Sequence, residues 1–288
     1  MSAAIDTTKL RGGPLQRYGG KGLSAARIVP HFARAQTYAE ACFGAGGIFF
    51  RLPDGTYRRE AVNDRDASLV TFFRALRDRP DDLVRACALT PFSRDEFAAA
   101  LLPSDDPMEE ARRVWVRGRQ GFAGKARTVG DWGRCPGRAN GWNPATTARK
   151  ADALYAYAAR LRNVAIDAID GAEFIDKWGQ VDTMIYVDPP YLAATRKSSR
   201  DYLHELDDAD HRRFAVACSA AVRRGAKVCV SGYPSALYEE LYAGWRTVDL
   251  DVALHGTRDA AGQRRTERLW LSYPASEEIG AGPLSLAG

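Results

Sequence analysis

The apolar run Thr183 to Val187 ends on Asp188-Pro189-Pro190-Tyr191. An acid, two prolines and an aromatic ring at the end of a strand suit methyl transfer to an exocyclic amino group of a base. The lone pair of such an amino group is delocalised into the ring, so a catalyst must take both hydrogens and favour a pyramidal nitrogen. Asp188 can accept one hydrogen bond and the carbonyl of Pro189 the other. Two consecutive prolines, Pro189 and Pro190, fix φ and so aim that carbonyl. The ring of Tyr191 offers a face on which an extruded base can stack. A strand running into a proline-rich turn, with Asp188 as a cap and Tyr191 packed inward, would be written in the same four letters, because a short motif alone is not specific. The rest of the chain has to decide.

A second constellation lies upstream. The short strand Thr37 to Ala41 carries Glu40 and runs into Phe43-Gly44-Ala45-Gly46-Gly47, a turn whose glycines let backbone approach a ligand closely. Asp64 follows 24 residues after Glu40, at the end of the next strand. In dinucleotide-binding sheets an acid about 20 residues beyond the glycine turn binds ribose hydroxyls. The ribose of S-adenosylmethionine would be held in the same way. An oxidoreductase would fit this feature too, but would leave Asp188 to Tyr191 without a task. Nearer the N-terminus, Arg17-Tyr18-Gly19-Gly20-Lys21 precedes a helix beginning near Leu23 and could cradle a carboxylate. A phosphate loop is the weaker match, since Gly22 stands where Ser or Thr would follow the lysine.

These residues need a frame to position them. Short β-branched runs alternate with helical patterns, which predicts an α/β fold, a Rossmann-like sheet covered by helices. The strands are read at Thr37 to Ala41, Glu60 to Asn63, Val164 to Ile169, Thr183 to Val187 and Ala226 to Val230. Leu69, Phe72, Phe73 and Leu76 recur at helical spacing in Asp66 to Arg77, and a further helix is read at Asp208 to Arg224. Trp245 to Leu254 and Thr266 to Tyr273 read as a terminal antiparallel hairpin. The stretch from Pro91 to Arg160 is too long for a plain connection and reads as an inserted, helical or irregular recognition region. The expected organisation is therefore a catalytic domain over 12–90 and 161–274, an insertion over 91–160, and a disordered tail over 275–288 rich in Gly, Ser and Ala.

Composition sets the class. The 288 residues are 45% apolar and 27% charged, ordinary for a globular protein, with no apolar stretch long enough for a membrane span and no signal-peptide core at the N-terminus. A cytoplasmic protein is expected. Five cysteines without close paired spacing argue for reduced thiols rather than disulfides or zinc. The formal net charge is +5, but Ala111 to Lys150 holds ten basic residues against Asp131 and nets +9, leaving −4 for the remainder. Trp115, Trp132, Trp142 and Phe122 lie in this segment, which reads as irregular. Basic residues among aromatics suit a nucleic-acid surface, and Arg117, Arg119, Lys125 and Arg127 are the candidate phosphate contacts. A solvated basic face with tryptophans packed beneath is the alternative.

Taken in order, Tyr18-Gly19-Gly20-Lys21, Glu40 to Phe50, Asn63-Asp64, Asp170 and Asp188-Pro189-Pro190-Tyr191 resemble the Dam-type, D12-class N6-adenine DNA methyltransferases over about residues 14 to 274. Tyr202, Asp210-His211, Ser231-Gly232-Tyr233, Leu237-Tyr238, Gly244-Trp245, Arg265-Thr266-Glu267 and Leu269-Trp270 are similar to a branch found in bacteriophages and prophages. The resemblance implies a seven-stranded sheet with a reversed final hairpin and target recognition between the glycine turn and the catalytic motif. It implies that Tyr18, Lys21 and Gly44 lie near the methyl donor, with Glu40 and Phe43 in the same loop. It places Asp64 on the donor's ribose, Asp170 near its adenine, and Asp188 where donor and target base meet. Two departures stand out: Ala41 and Cys42 follow Glu40 where the family has proline and phenylalanine, and Arg17 replaces a frequent tryptophan.

The expected function is methyl transfer from S-adenosylmethionine to the N6 amino group of a flipped adenine in double-stranded DNA, by direct displacement and with no metal. N4-cytosine methylation presents the same chemistry, and a catalytically silent DNA-binding homologue or an RNA substrate are further alternatives. A monomer or weak dimer is expected. His204 and His211, near a helix start, are read as surface or capping residues rather than general bases.

Overall fold

The computed structural model describes residues 6–7, 10, 12–16, 20–22, 24–121, 128–133, 150–191, 206–253 and 264–281. Arg17, Tyr18, Lys125, Arg127, Cys135, Trp142, Tyr202 and His204 lie outside the described residues. The chain divides into two compact units, one of Met1–Gly22, Gly44–Asp54 and Asp66–Ile166, the other of Leu23–Phe43, Gly55–Arg65 and Asp167–Gly288.

Seven strands form one sheet: β1 (Thr37–Glu40), β2 (Arg59–Asn63), β3 (Val164–Asp167), β4 (Thr183–Val187), β5 (Lys227–Gly232), β6 (Arg246–Ala253) and β7 (Arg264–Leu271), in the order β3-β2-β1-β4-β5-β7-β6. β1 pairs in parallel with β2 and β4, and β4 with β5, while β7 is antiparallel to both β5 and β6. This is a Rossmann-like sheet with a reversed terminal hairpin, the arrangement that the resemblance implied. Every residue of β4 is buried, as a parallel strand covered on both faces requires, which is why its sequence is a continuous apolar run. Strand order reverses between β1 and β4, so the carboxyl ends of these strands border the crevice where ligands bind in such sheets.

The second unit opens with the single helical turn α1 (Ala25–Ile28), and in it α7 (Gly171–Trp178) packs on α8 (Asp208–Arg223). Asp207 and Asp210 form a capping box that starts α8. Residues 275–281 differ from the disordered tail read from their composition. They form two 3₁₀ turns, Ala275–Glu277 and Ile279–Ala281, in which the Ile279 amide donates to the Phe32 carbonyl and Glu278 receives His31 and Arg246. Low hydrophobicity there hides a polar docking strip.

The first unit is helical. Asp66 caps α2 (Ala67–Asp78), Ser93 caps α4 (Arg94–Ala100) and Asp106 caps α5 (Pro107–Gln120), each through a backbone amide. α3 (Pro80–Leu89) and α6 (Leu154–Leu161) complete the set, and α5 packs against α2, α3 and α4. The irregular reading of Ala111 to Lys150 therefore fails for its first ten residues. Ala111, Val114, Trp115 and Gly118 recur at helical spacing and are all buried. The arginines between them obscured that stripe. The compact unit also takes in α2, because Phe50 meets the rings of Phe73 and Tyr157. It thus extends well beyond the insertion at 91–160.

Candidate active site

β4 delivers Asp188 directly after its last buried residue. The Ser231 hydroxyl, fully buried at the end of β5, donates to Asp188 Oδ1 at 2.8 Å. Behind it, the Tyr186 hydroxyl lies 2.8 Å from Ser231 Oγ, also fully buried. Burial, followed by the charge of Asp188, holds the Tyr186 phenol well above its ordinary pKa, so it stays protonated and donates. Pro189 is buried. Tyr191 is 7% exposed, its hydroxyl donating to Glu267 Oε1 at 2.8 Å and its ring centroid 4.5 Å from that of Tyr233.

Two more carboxylates stand at neighbouring strand ends. Glu40 closes β1, buried, and accepts a 2.8 Å bond from the Tyr38 hydroxyl. Asp64 follows Asn63 at the end of β2. Desolvation, then the negative charges of Asp64, Asp188 and Glu40, push the Cys42 thiol well up. β1 lies between β2 and β4, with Glu40 paired to Val62 and to Tyr186, so the three acids stand at adjoining strand ends.

Asn63 ties the surrounding loops together. Its side-chain amide donates to the carbonyls of Ala41 and Ile169 at 3.0 and 3.1 Å, and its Oδ1 accepts the Ile169 amide at 3.0 Å. Its own carbonyl accepts the Phe43 amide at 2.8 Å. One buried residue thereby fixes the turn after Glu40 and the loop leading to Asp170. Asp170 caps α7 through the amides of Ala172 and Glu173 and pairs with Arg213 at 2.8 Å.

In the first unit, Gly44 and Gly46 adopt positive φ, +53° and +73°, where glycine is strain-free. A Cβ on Gly47 would stand 2.9 Å from the Gly22 amide nitrogen and 3.2 Å from Lys21 backbone atoms. The glycine turn thus admits the chain's own Lys21-Gly22 backbone, and Lys21 is buried there.

Arg117 and Arg119 are held internally. Arg117 bonds the Ala100 carbonyl at 2.7 Å and Glu110 at 2.8 Å. Arg119 reaches the Pro14 carbonyl and lies 4.8 Å over the Trp115 ring, and burial lowers its pKa to about 10. Trp132 packs against Phe92 and donates to Gln120. His211 is buried, its ring 3.1 Å from the Tyr238 hydroxyl, so it is not a surface residue.

The family described as D12 class N6 adenine-specific DNA methyltransferase matches residues 18–253. The chain belongs to this family. A Type II methyltransferase, M1.LlaDCHI of Lactococcus lactis subsp. cremoris, is 24% identical over 277 residues, covering 88% of this chain and 93% of that one. Among solved structures, the rRNA methyltransferase aviRa from Streptomyces viridochromogenes covers 97% of both chains at 14% identity, with a TM-score of 0.39. As a D12-class enzyme the protein is an S-adenosylmethionine-dependent DNA methyltransferase that modifies adenine N6. The donor set present fits that cofactor: Glu40, Asp64 and Asp188, at or just past the ends of β1, β2 and β4, are carboxylates of the kind that accept from ribose hydroxyls and balance a cationic sulfonium. No helix among the described residues is long and apolar enough to cross a membrane, and none of their His, Cys, Asp and Glu side chains group to hold a metal.

Sequence reasoning gave no role to Ser231, Tyr186, Asn63 or Glu267. A signal existed for Ser231, a polar residue closing the buried run Val228-Cys229-Val230. Asn63 likewise closes β2 after the apolar pair Ala61-Val62, whereas Glu267, flanked by Thr266 and Arg268, carried no such signal.

Proposed function

We propose that Asp188 and the Pro189 carbonyl accept the two hydrogens of the target N6 amino group, with Pro190 fixing the direction of that carbonyl and Tyr191 supporting the extruded adenine. The observation that carries this reading is the 2.8 Å bond from Ser231 that leaves Asp188 oriented at the carboxyl edge of β4. S-adenosylmethionine supplies an electrophilic methyl group. Asp64 accepts from its ribose, Asp170 stands toward its adenine, and Lys21 with Tyr18 and Gly44 holds its carboxylate end, Glu40 and Phe43 shaping the same loop. Positioning and a negative environment for the nitrogen that becomes cationic are the main catalytic devices. No covalent nucleophile takes part, and the displaced proton passes to solvent.

The substrate is double-stranded DNA methylated at one sequence, in the manner of a Type II modification enzyme, by a monomer or weak dimer in the cytoplasm of a bacterial or phage-infected cell. With Arg117 and Arg119 engaged internally, Lys125 and Arg127 are assigned the phosphate contacts, on their place in the basic segment. A tritiated methyl-transfer assay on unmethylated DNA tests the site. Asp188→Ala should lose at least about 10³-fold in turnover with an unchanged melting temperature; turnover near wild type would overturn the assignment.

A further inference from the structure

The reversed strand β7 brings a residue to the catalytic edge that no parallel strand could. Gly232 at the end of β5 pairs with Arg268, so Glu267, one residue earlier in β7, lies just past the carboxyl end of β5. There its carboxylate, 3% exposed, receives the Tyr191 hydroxyl at 2.8 Å. At the other end of the tetrapeptide, Ser231, one residue before Gly232, donates to Asp188 at 2.8 Å and is backed by Tyr186 at 2.8 Å. Two adjacent strands therefore hold both ends of Asp188-Pro189-Pro190-Tyr191 from the buried side.

We propose that Ser231 and Glu267 are positioning residues of the methyl-transfer reaction: Ser231 fixes the rotamer of the Asp188 carboxylate, and Glu267 fixes the plane of the Tyr191 ring. This rests on the roles given above to Asp188 and Tyr191. The reason to hold both ends is geometric. The target nitrogen must be gripped in line with the methyl group, and a misplacement of about 1 Å can lower the rate about 100-fold. Prolines stiffen the two central residues, but φ alone sets neither the carboxylate rotamer of the first residue nor the ring torsion of the last. A hydrogen bond to a charged group from a buried donor restrains the first, and one to a buried carboxylate the second. Tyr186 completes the first restraint. By donating to Ser231 Oγ it leaves the serine proton directed at Asp188.

The two halves have separate readouts. Ser231→Ala should lower kcat about 10- to 100-fold while KM for S-adenosylmethionine and for DNA stays within about 2-fold. Glu267→Leu should reduce both kcat and the fluorescence rise of 2-aminopurine placed at the target base, which reports extrusion of that base from the duplex stack. Tyr191→Phe removes the same hydrogen bond while keeping the ring and should reproduce that loss, and it does so without altering Glu267 should Glu267→Leu not fold. Adding Glu267→Leu to Tyr191→Phe should then change neither readout further. Glu267→Gln, which keeps an acceptor and nearly the same volume, should stay within about 3-fold of wild type. Wild-type kcat in Ser231→Ala, unchanged 2-aminopurine fluorescence in Tyr191→Phe, or a full additional loss in the double variant would overturn the proposal. Asp188→Ala separates this from the site assignment: if it stays active the catalytic reading fails, and if it is dead while Ser231→Ala is normal only the positioning fails.

Discussion

At the scale of single residues, Asn63 shows how much of the site depends on one buried amide. Three side-chain hydrogen bonds and one backbone bond from this residue hold the turn after Glu40 and the loop before Asp170. Asn63→Ala should lower stability by about 3 kcal/mol, since buried partners are left unmade, and should weaken S-adenosylmethionine binding about 10-fold or more. Urea unfolding and calorimetric titration measure the two effects; unchanged cofactor affinity would remove Asn63 from the site. The acids and the tetrapeptide were legible in the sequence because their types state their chemistry and their spacing follows strand ends. Asn63 and Ser231 were quoted there only as parts of a resemblance, because an uncharged polar residue announces a role only once its buried partner is known. Arg119 went the other way. Read as a phosphate contact from its charge, it lies against Trp115 and the Pro14 carbonyl instead.

At the scale of elements, the glycine turn and α5 both carry predictions. Gly44→Ala meets open space but adopts φ +53°, so about 1–2 kcal/mol of backbone strain is expected. Gly47→Ala drives a methyl group into the Lys21-Gly22 backbone and should cost about 1–3 kcal/mol while displacing Lys21, so it should weaken cofactor binding far more than Gly44→Ala. Equal affinities in the two variants would refute that distinction. On α5, hydrogen bonds from Arg112 and Arg113 hold the Glu109 carboxyl down at about 2, against an ordinary 4.5. A depressed carboxyl contributes stability fully above its unfolded pKa and loses it as pH falls through the folded one. The helical unit should therefore weaken between about pH 4.5 and pH 2, and Glu109→Gln should flatten that part of the curve in thermal melts. A wild-type acid slope in the variant would exclude Glu109. The strands and α8 were legible through their periods, and Thr183 to Val187 matched residue for residue. α5 was missed because its apolar stripe is broken by arginines whose partners, Glu96, Glu109 and Glu110, lie before the basic segment begins.

At the scale of the whole molecule, charge and topology set the function. Counting from Ala111 gave a net +9, yet Arg112, Arg113 and Arg117 are paired with acids just upstream and Arg119 is buried, so the cationic surface left for DNA is smaller than the count implied. The salt dependence of DNA binding should show this: replacing Lys125 and Arg127 with alanine should reduce the log–log slope by about 1.8, whereas Arg117→Ala should lower the melting temperature and leave the slope unchanged. A slope change from Arg117→Ala alone would reverse that division. The sheet order, with its switch between β1 and β4, sets Glu40, Asp64 and Asp188 at adjoining strand ends, and the reversed β7 carries Glu267 just past the end of β5. Single-molecule sequencing of DNA from cells producing the wild-type protein and its Asp188→Ala variant tests the central claim most directly. N6-methyladenine in one recurring sequence, absent with the variant, is the predicted result. Methylation that persists in the variant, or N4-methylcytosine in place of N6-methyladenine, would contradict the account.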